Sequence, residues 1–297
     1  MKPKALFVML ISWLSFTTIQ ARSTEDVPDK GTYAKFLLVG CYMKPDEEGV
    51  RMYRFDGQTA DVDYLCGLKG ISNPAFLTSD STGNRIYAIG DDEGKSSTAN
   101  ALLFDKERGR LSLLNSQSTD GELPIYITLS PKEDFVLTAN YNGGSITVFS
   151  LDKRGELQHD TKIIRFAGNG PNKKRQEQSH LHCVTFTPDG KFLLATDLGT
   201  DCIYQFPIGK RSEAGKAHSL LDESRVVRIQ MDSGSGPRHI CFHPNGRFAY
   251  LISELSGKIT VFSYNEGKLE RLQKIVCDPF VAEGNADIHV SSDGKFL

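Results

Sequence analysis

The sequence predicts an all-β protein, and more narrowly a β-propeller of four-stranded blades. Three observations indicate this fold: a repeat of 48 to 57 residues, a period of two within the repeat, and a composition rich in turn residues. The repeat begins at residues 74, 124, 181, 237 and 285, and its length is that of a propeller blade. Apolar residues make up 39% of the chain beside 27 Gly and 12 Pro, which favours short strands joined by turns.

One repeat shows why it should form a blade. Residues 183–186 are typical of a half-buried strand, and the turn at 188–190 ends in a glycine that accepts positive φ. Residues 192–196 are almost continuously apolar, which predicts a strand buried on both faces. Residues 203–206 form a third strand, and the polar remainder has room for a fourth. A helical solenoid needs apolar positions every three or four residues, so the period of two excludes it.

The N-terminus predicts a secretory signal peptide over residues 1–21. Two lysines precede an apolar run at residues 5–16, and the small residue Ala21 follows. The alternative is a transmembrane anchor, but the run is shorter than the ~20 residues that span a bilayer. We therefore expect residues 22–32 to be a linker and the mature protein to be secreted or periplasmic.

The propeller is expected to occupy residues 33–297, which is enough chain for about five blades. The last repeat stops inside its predicted second strand, so we expect a propeller that is incomplete at the C-terminus.

Charge and cysteine usage exclude several classes of function. A net charge of −2 gives no broad basic field, so nucleic acid is not an expected partner. Four of the six cysteines lie in apolar, strand-like runs, and none has CxxC spacing. We expect them to be free, small hydrophobic residues in the core. No metal and no other cofactor is predicted, because the spacing of Cys and His does not match a zinc site.

Polar residues recur just before the first strand and just after the second strand of the repeat. Loops at these places meet at one end of the central channel, so the sequence predicts a pocket at the channel mouth. The residues concerned are His180, His182, Arg238, His239, Asp287 and His289 before the first strands, and Asn140, Asp197 and Glu254 after the second strands.

Three motifs carry a resemblance to a known family: QSHLHCVTFTPDG at 178–190, DLGTD at 197–201 and GPRHICFHPNG at 236–246. Together they resemble the seven-bladed lactonase family, from about residue 36 to the end. That family includes bacterial 6-phosphogluconolactonases and a fungal enzyme that lactonises 3-carboxymuconate. The resemblance implies a seven-bladed ring, of which about five blades are present here.

The resemblance also implies catalytic residues. In the lactonising branch the site is a His, an Arg, a Glu and a second Arg; His182, Arg238 and Glu254 match the first three by their place in the motifs. The second Arg would follow a strand that begins at Phe296, and this sequence has no counterpart for it.

These residue types suit lactone chemistry. Opening a lactone needs a base that activates water and a group that stabilises charge on the carbonyl oxygen. His182 and Glu254 are both candidates for the base. Arg238 would bind a substrate carboxylate or phosphate, or stabilise the oxyanion.

The other residues of the predicted pocket would bind or orient the substrate, namely His180, Asp197, His239, Asp287 and His289. Asp197 is equally well explained as a structural hydrogen-bonding residue. Strand alternation should turn His239 away from Arg238. The basic run at 173–175 is either a phosphate-binding patch or, more typically, a solvated loop.

Three functions remain open from the sequence. The first is a lactone hydrolase acting on a sugar-acid lactone, similar to 6-phosphogluconolactonase. The second is a cycloisomerase that lactonises a muconate-like diacid, and the third is a non-catalytic propeller that binds a ligand or a protein. The expected partner is a small lactone or organic acid, with no membrane association after signal cleavage. A GxSxG nucleophile elbow is absent from the sequence.

Overall fold

A computed structural model of the chain describes residues 34–209, 216–277 and 284–297. The predicted signal peptide and linker lie outside the described residues. In the described part the strands form five antiparallel sheets, the first of three strands and the others of four, each in chain order. The strands are β1 Ala34–Gly40, β2 Val50–Asp56, β3 Val62–Leu68, β4 Leu77–Ser79, β5 Arg85–Asp91, β6 Ser97–Asp105, β7 Arg110–Ser118, β8 Pro124–Leu129, β9 Phe135–Asn140, β10 Ser145–Leu151, β11 Leu157–Arg165, β12 Leu181–Phe186, β13 Phe192–Asp197, β14 Cys202–Pro207, β15 Val227–Gln230, β16 Pro237–Phe242, β17 Phe248–Ser253, β18 Lys258–Asn265 and β19 Lys268–Val276.

The sheets are arranged as propeller blades around their first strands. The inner strands of successive sheets contact one another, β4 with β8, β8 with β12, and β12 with β16. The repeats that begin at residues 74, 124, 181 and 237 each supply the inner strand of one sheet. The predicted all-β propeller of about five blades is therefore confirmed.

The hydrophobic core lies between the blades. Leu193 and Ala195 of β13 pack with Leu137 of the preceding blade, while Leu194 packs with Leu251 of the following blade. Adjacent residues of one strand thus face different neighbours, because side chains alternate across a sheet. The prediction that this strand is buried on both faces is confirmed, and each buried leucine contributes about 1.5–3 kcal/mol by its burial.

The last repeat differs from the expectation. Residues 284–297 contain no regular strand, although the sequence pattern predicts a first strand and the start of a second. A strand is maintained by a ladder of backbone hydrogen bonds. The backbone hydrogen bonds described at the end of this segment are those of a turn, Ser291 N to the Phe296 carbonyl oxygen at 2.9 Å and Gly294 N to the Ser291 carbonyl oxygen at 2.8 Å.

The inner strands share an irregularity that positions the candidate site. In β8, β12 and β16 the pairing shifts after the first residue, so that Ile125, His182 and Arg238 lie opposite no partner. Such a β-bulge adds one residue to a strand and redirects its side chain. His182 and Arg238 are therefore the extra residues of two bulges at the same end of neighbouring blades.

A buried carboxylate fixes the chain just before β12. Asp197 ends β13 with no exposed surface and accepts hydrogen bonds from the His180 backbone N at 2.8 Å, from Ser179 Oγ at 2.7 Å and from Thr200 Oγ1 at 2.7 Å. Gly199 lies so close to this segment that a Cβ would stand 1.8 Å from the Gln178 carbonyl oxygen. The contacts of Asp197 are those of a structural hydrogen-bonding residue. One of them holds the backbone at His180.

Two further properties concern the described residues. No helix in these parts of the chain is long and apolar enough to cross a membrane. All six cysteines are free; Cys183 and Cys202 are buried, whereas Cys41 and Cys241 are only half-buried.

We predict that Asp197→Ala lowers the free energy of unfolding by about 3 kcal/mol, because buried donors lose a charged acceptor. Asp197→Asn, which keeps one acceptor oxygen, should lower the free energy of unfolding by a smaller amount. The matched control is Asp63→Ala, on an exposed position of β3, with an expected change within about 0.5 kcal/mol. Urea denaturation measures all three, and equal stability of Asp197→Ala and the control would contradict the role given to this carboxylate.

Candidate active site

Glu254 lies at the centre of a charged cluster at the channel mouth. It follows β17, its side chain is largely buried, and its backbone N donates to the Gly236 carbonyl oxygen at 2.8 Å. Arg238 Nε donates to Oε2 at 2.9 Å. Arg175 Nη2 donates to the other oxygen, Oε1, and forms an ion pair with it. Both oxygens of this carboxylate are therefore held by guanidinium groups.

His182 stands beside that carboxylate without a direct hydrogen bond to it. Its Nε2 is 3.7 Å from Glu254 Oε2, and its ring meets the His239 ring edge-on at 5.1 Å between centroids. Burial, reinforced by the charge of Arg238, lowers the pKa of His182 well below the ordinary value of 6.5. The imidazole is accordingly neutral at physiological pH.

The second ring nitrogen of His182, Nδ1, is buried and has no hydrogen-bond partner within the described residues. Buried polar atoms are normally paired in proteins, and functional sites are a recurring place for the exceptions. This orphaned atom sets His182 apart from the other buried histidines of the cluster.

His239, Asp287 and His289 form a hydrogen-bonded row beside Arg238. Asp287 Oδ1 is 2.7 Å from His239 Nδ1, and its Oδ2 is 2.9 Å from His289 Nε2. Although burial opposes ionisation, these two contacts hold the pKa of Asp287 below its ordinary range. The hydrogen bond to Asp287 raises the pKa of the exposed His289, whereas burial lowers the pKa of His239.

The prediction that His239 turns away from Arg238 is wrong. The Arg238 Nη1 atom is 3.4 Å from His239 Nε2, so both side chains lie on one side of β16. The reason is the bulge at Arg238, which interrupts the alternation that a regular strand would impose.

His180 lies behind the cluster and not within it. Its ring stacks on Tyr141 at 4.2 Å between centroids, its Nδ1 is 3.1 Å from the Tyr141 carbonyl oxygen, and its Nε2 is 3.2 Å from Glu177 Oε1. Tyr141 also meets His182 edge-on at 5.5 Å. His180 thus supports Tyr141, which in turn packs against His182.

Arg175 and Tyr141 belong to the site, although the sequence did not identify them. Lys173 and Lys174 are exposed, as a solvated loop predicts, but Arg175 turns inward to Glu254 and lies 3.5 Å from the Tyr141 hydroxyl. The difference follows from the burial of Gln176, whose side-chain hydrogen bonds fix this part of the loop and which the sequence does not indicate.

Three of the predicted pocket residues line a cavity, whereas His182, Arg238 and Glu254 are not among its lining residues. His239, Asp287 and His289 lie with Tyr126 and Cys241 around a cavity of about 390 Å³ between the inner strands. A second hollow of about 460 Å³, at the hairpin-turn ends of β8 and β12, is lined in the described chain by Lys132, Asp134 and Asp189 but by no histidine or arginine. Within the described ranges, no three His, Cys, Asp or Glu side chains are grouped as metal ligands.

Comparisons with known proteins identify the family to which the chain belongs. Residues 36–297 match the family described as "Lactonase, 7-bladed beta-propeller". The 6-phosphogluconolactonase of Bacillus subtilis (strain 168) is 33% identical over 267 residues, which are 87% of this chain and 72% of that protein. A crystal structure of a Bacteroides fragilis protein is 40% identical with a TM-score of 0.81, covering 88% of this chain and 72% of the other. The periplasmic gluconolactonase of Pseudomonas aeruginosa is 29% identical with a TM-score of 0.77, covering 88% and 74%.

We predict that His182 makes the protein less stable in mild acid. Below pH 6.5 His182 is protonated in the unfolded chain but stays neutral in the folded chain, because its pKa is lowered on folding. The free energy of unfolding therefore falls as pH falls. His182→Gln removes this contribution, and its slope between pH 7 and pH 5 should be shallower, by up to about 1.4 kcal/mol per pH unit. Urea denaturation at pH 7, 6 and 5 measures the slopes. The exposed His159→Gln is the matched control, and equal slopes for His182→Gln and wild type would contradict the prediction.

Proposed function

Because this chain belongs to the seven-bladed β-propeller lactonase family, we propose that it is a lactone hydrolase that opens a sugar-acid lactone at the pocket around Glu254. The observation that carries the proposal is the juxtaposition of a neutral, buried imidazole, a carboxylate and a guanidinium. His182 Nε2 and Arg238 Nε both approach the same oxygen of Glu254, at 3.7 Å and 2.9 Å. A base beside a fixed cation is the minimum that lactone opening requires.

His182 is the proposed general base. Both oxygens of Glu254 already accept hydrogen bonds from arginines, which leaves this carboxylate poorly placed to take a proton from water. The imidazole takes the water proton on Nε2, and the imidazolium that forms is then stabilised by the nearby carboxylate. The arrangement differs from that of the hydrolytic triads, in which the carboxylate bonds the ring nitrogen opposite the one that takes the proton.

Arg238 is proposed to stabilise the oxyanion. The oxygen of water forms a bond to the lactone carbonyl carbon, and the negative charge moves to the former carbonyl oxygen next to the guanidinium. The ring C–O bond then breaks, the ring oxygen takes the proton from His182, and the product is an open hydroxy acid. Arg238 is held for this task by Glu254 and by the Ala286 carbonyl oxygen.

The remaining predicted residues are proposed to orient these three. His239 and Asp287 brace Arg238 from the side of the cavity, with His289 at the edge. His180 acts through Tyr141, and Asp197 acts through the His180 backbone. The reaction as written uses no metal, so chelation should leave the rate unchanged.

We also propose that the mature protein is exported to the periplasm or beyond. The basic and apolar N-terminal pattern supports this, and a relative from Pseudomonas aeruginosa is described as periplasmic. The measured mass of the exported protein should correspond to cleavage near Ala21; recovery of the uncleaved chain from the cytoplasm would contradict export.

We predict that the full chain speeds the opening of δ-gluconolactone or its 6-phosphate above the spontaneous rate, with no effect of EDTA. Each turnover releases an acid, so a pH-stat records it directly. His182→Gln should lower kcat about 100-fold or more, because a general base supplies that much. Arg238→Lys should lower kcat by a similar factor, because an ammonium lacks the fixed fork of donors.

The control for both variants is His159→Gln, whose side chain is exposed on β11, the strand of its sheet farthest from the inner strand β8. If the wild type does not speed the opening of either lactone, the proposal is contradicted. Turnover of a muconate-like diacid without lactone hydrolysis would assign the site to the cycloisomerase reaction instead.

A further inference from the structure

Asp201 is a buried carboxylate at which three segments of the chain meet. It lies in the turn between β13 and β14, where only 2% of its surface is exposed. A carboxylate is costly to bury unless its oxygens accept hydrogen bonds. Asp201 meets this requirement with donors from two other loops, one that carries Arg175 and one that leads into Arg238.

The first of these loops is held through Gln176. This residue is fully buried, and its Nε2 donates to Asp201 Oδ1 at 2.9 Å and to the Leu198 carbonyl oxygen at 2.8 Å. Arg175 is the preceding residue, and its guanidinium pairs with Glu254. Because the Gln176 side chain cannot move without breaking buried hydrogen bonds, Asp201 restricts the positions that the Arg175 backbone can adopt.

The second loop is held at residues 234–236. Asp201 Oδ2 accepts a hydrogen bond from the Gly234 backbone N at 2.6 Å. Its Oδ1 accepts from the Gly236 backbone N at 2.8 Å and from Ser235 Oγ at 3.3 Å. One carboxylate thus binds three consecutive residues, and the last of them is only two positions before the bulge at Arg238.

The same segment also holds the backbone of Glu254. The Gly236 carbonyl oxygen accepts from the Glu254 backbone N at 2.8 Å, while the Gly236 N donates to Asp201. Gly236 has a φ of 63°, and a Cβ there would stand 2.5 Å from Leu255 Cγ, so this close approach requires a glycine. Asp201 is therefore connected through one short segment to the backbones of both Glu254 and Arg238.

We propose that Asp201 is a positioning residue that sets the relative places of the three charged groups of the pocket, Arg175, Arg238 and Glu254. This proposal rests on the proposed function and adds a residue to it. In the described chain the Asp201 carboxylate bonds none of these three side chains, so it acts through the backbone segments that carry them. A displacement of about 1 Å at a reacting group, caused by a change far from the chemistry, can cost about 100-fold in rate.

Asp201→Asn is the informative change. The backbone at Asp201 has a φ of 54°, a left-handed conformation that asparagine tolerates as well as aspartate does. The amide removes the charge and one acceptor oxygen. The matched control is Asp80→Asn, because Asp80 is also a buried carboxylate, which accepts from the Asn84 and Arg85 backbone N atoms at 2.9 Å and 3.1 Å. Asp80 lies in the hairpin turn between β4 and β5, at the end of its blade opposite to the mouth.

Two readouts separate positioning from a purely structural role, for which stability alone would fall. At a temperature at which every variant is folded, Asp201→Asn should lower kcat about tenfold or more, whereas Asp80→Asn should leave kcat unchanged. The second readout is the pKa of His182, measured by NMR on isotope-labelled histidine, with His182→Gln to identify its signal. Displacement of Arg238 and entry of water should raise this pKa toward 6.5 in Asp201→Asn and not in Asp80→Asn.

The NMR readout does not require catalysis. If the wild type opens no lactone, the proposed reaction fails, and the pKa of His182 alone decides the role of Asp201. If Asp201→Asn does not fold, Ser235→Ala takes its place; it removes one hydrogen bond to the carboxylate and should raise the pKa of His182 by a smaller amount. A pKa of His182 that equals the wild-type value in the folded variant overturns the positioning role of Asp201.

Discussion

The pocket depends on one carboxylate that two guanidinium groups share. Glu254 comes from the end of β17, Arg238 from the inner strand of the same blade, and Arg175 from the loop that leads into the preceding blade. When such a pair is fully buried, removing one partner costs about 3–5 kcal/mol, because the other charge remains unpaired. This interaction therefore joins two blades at the mouth and fixes the cations that a lactone would meet.

The inner strands supply the reactive groups through a shared irregularity. A regular strand presents alternate side chains to the channel, so a His and an Arg at adjacent positions would point apart. The bulges at His182 and Arg238 remove this restriction and let consecutive residues face the mouth. Asp197 holds the backbone at His180, just before the start of β12, the strand that carries His182. The residue that Asp197 holds, His180, is thus only two positions from the candidate catalytic residue His182.

The repeat and its period of two are sufficient to predict the propeller, because a blade is a local unit that its own sequence specifies. The same pattern places His182, Arg238 and Glu254 at one end of the ring, as the structure shows. Sequence could not assign Arg175, whose direction depends on the burial of Gln176 between loops far apart in the chain. It also failed for His239, because a bulge is a matter of strand pairing and not of the residues alone. The side-chain directions of Arg175 and His239 depend on contacts outside their own repeat, so the sequence pattern of a single repeat does not predict them.

A bound substrate analogue would show whether a lactone lies between Arg238 and His182. D-glucono-δ-lactam keeps the lactone shape but resists hydrolysis, so a crystal of the complex shows where the ring binds. We predict that its carbonyl oxygen lies within hydrogen-bond distance of Arg238, with the carbonyl carbon facing His182. Binding instead in the hollow at the opposite ends of β8 and β12, among Ser130, Asp189 and Leu220, would contradict it.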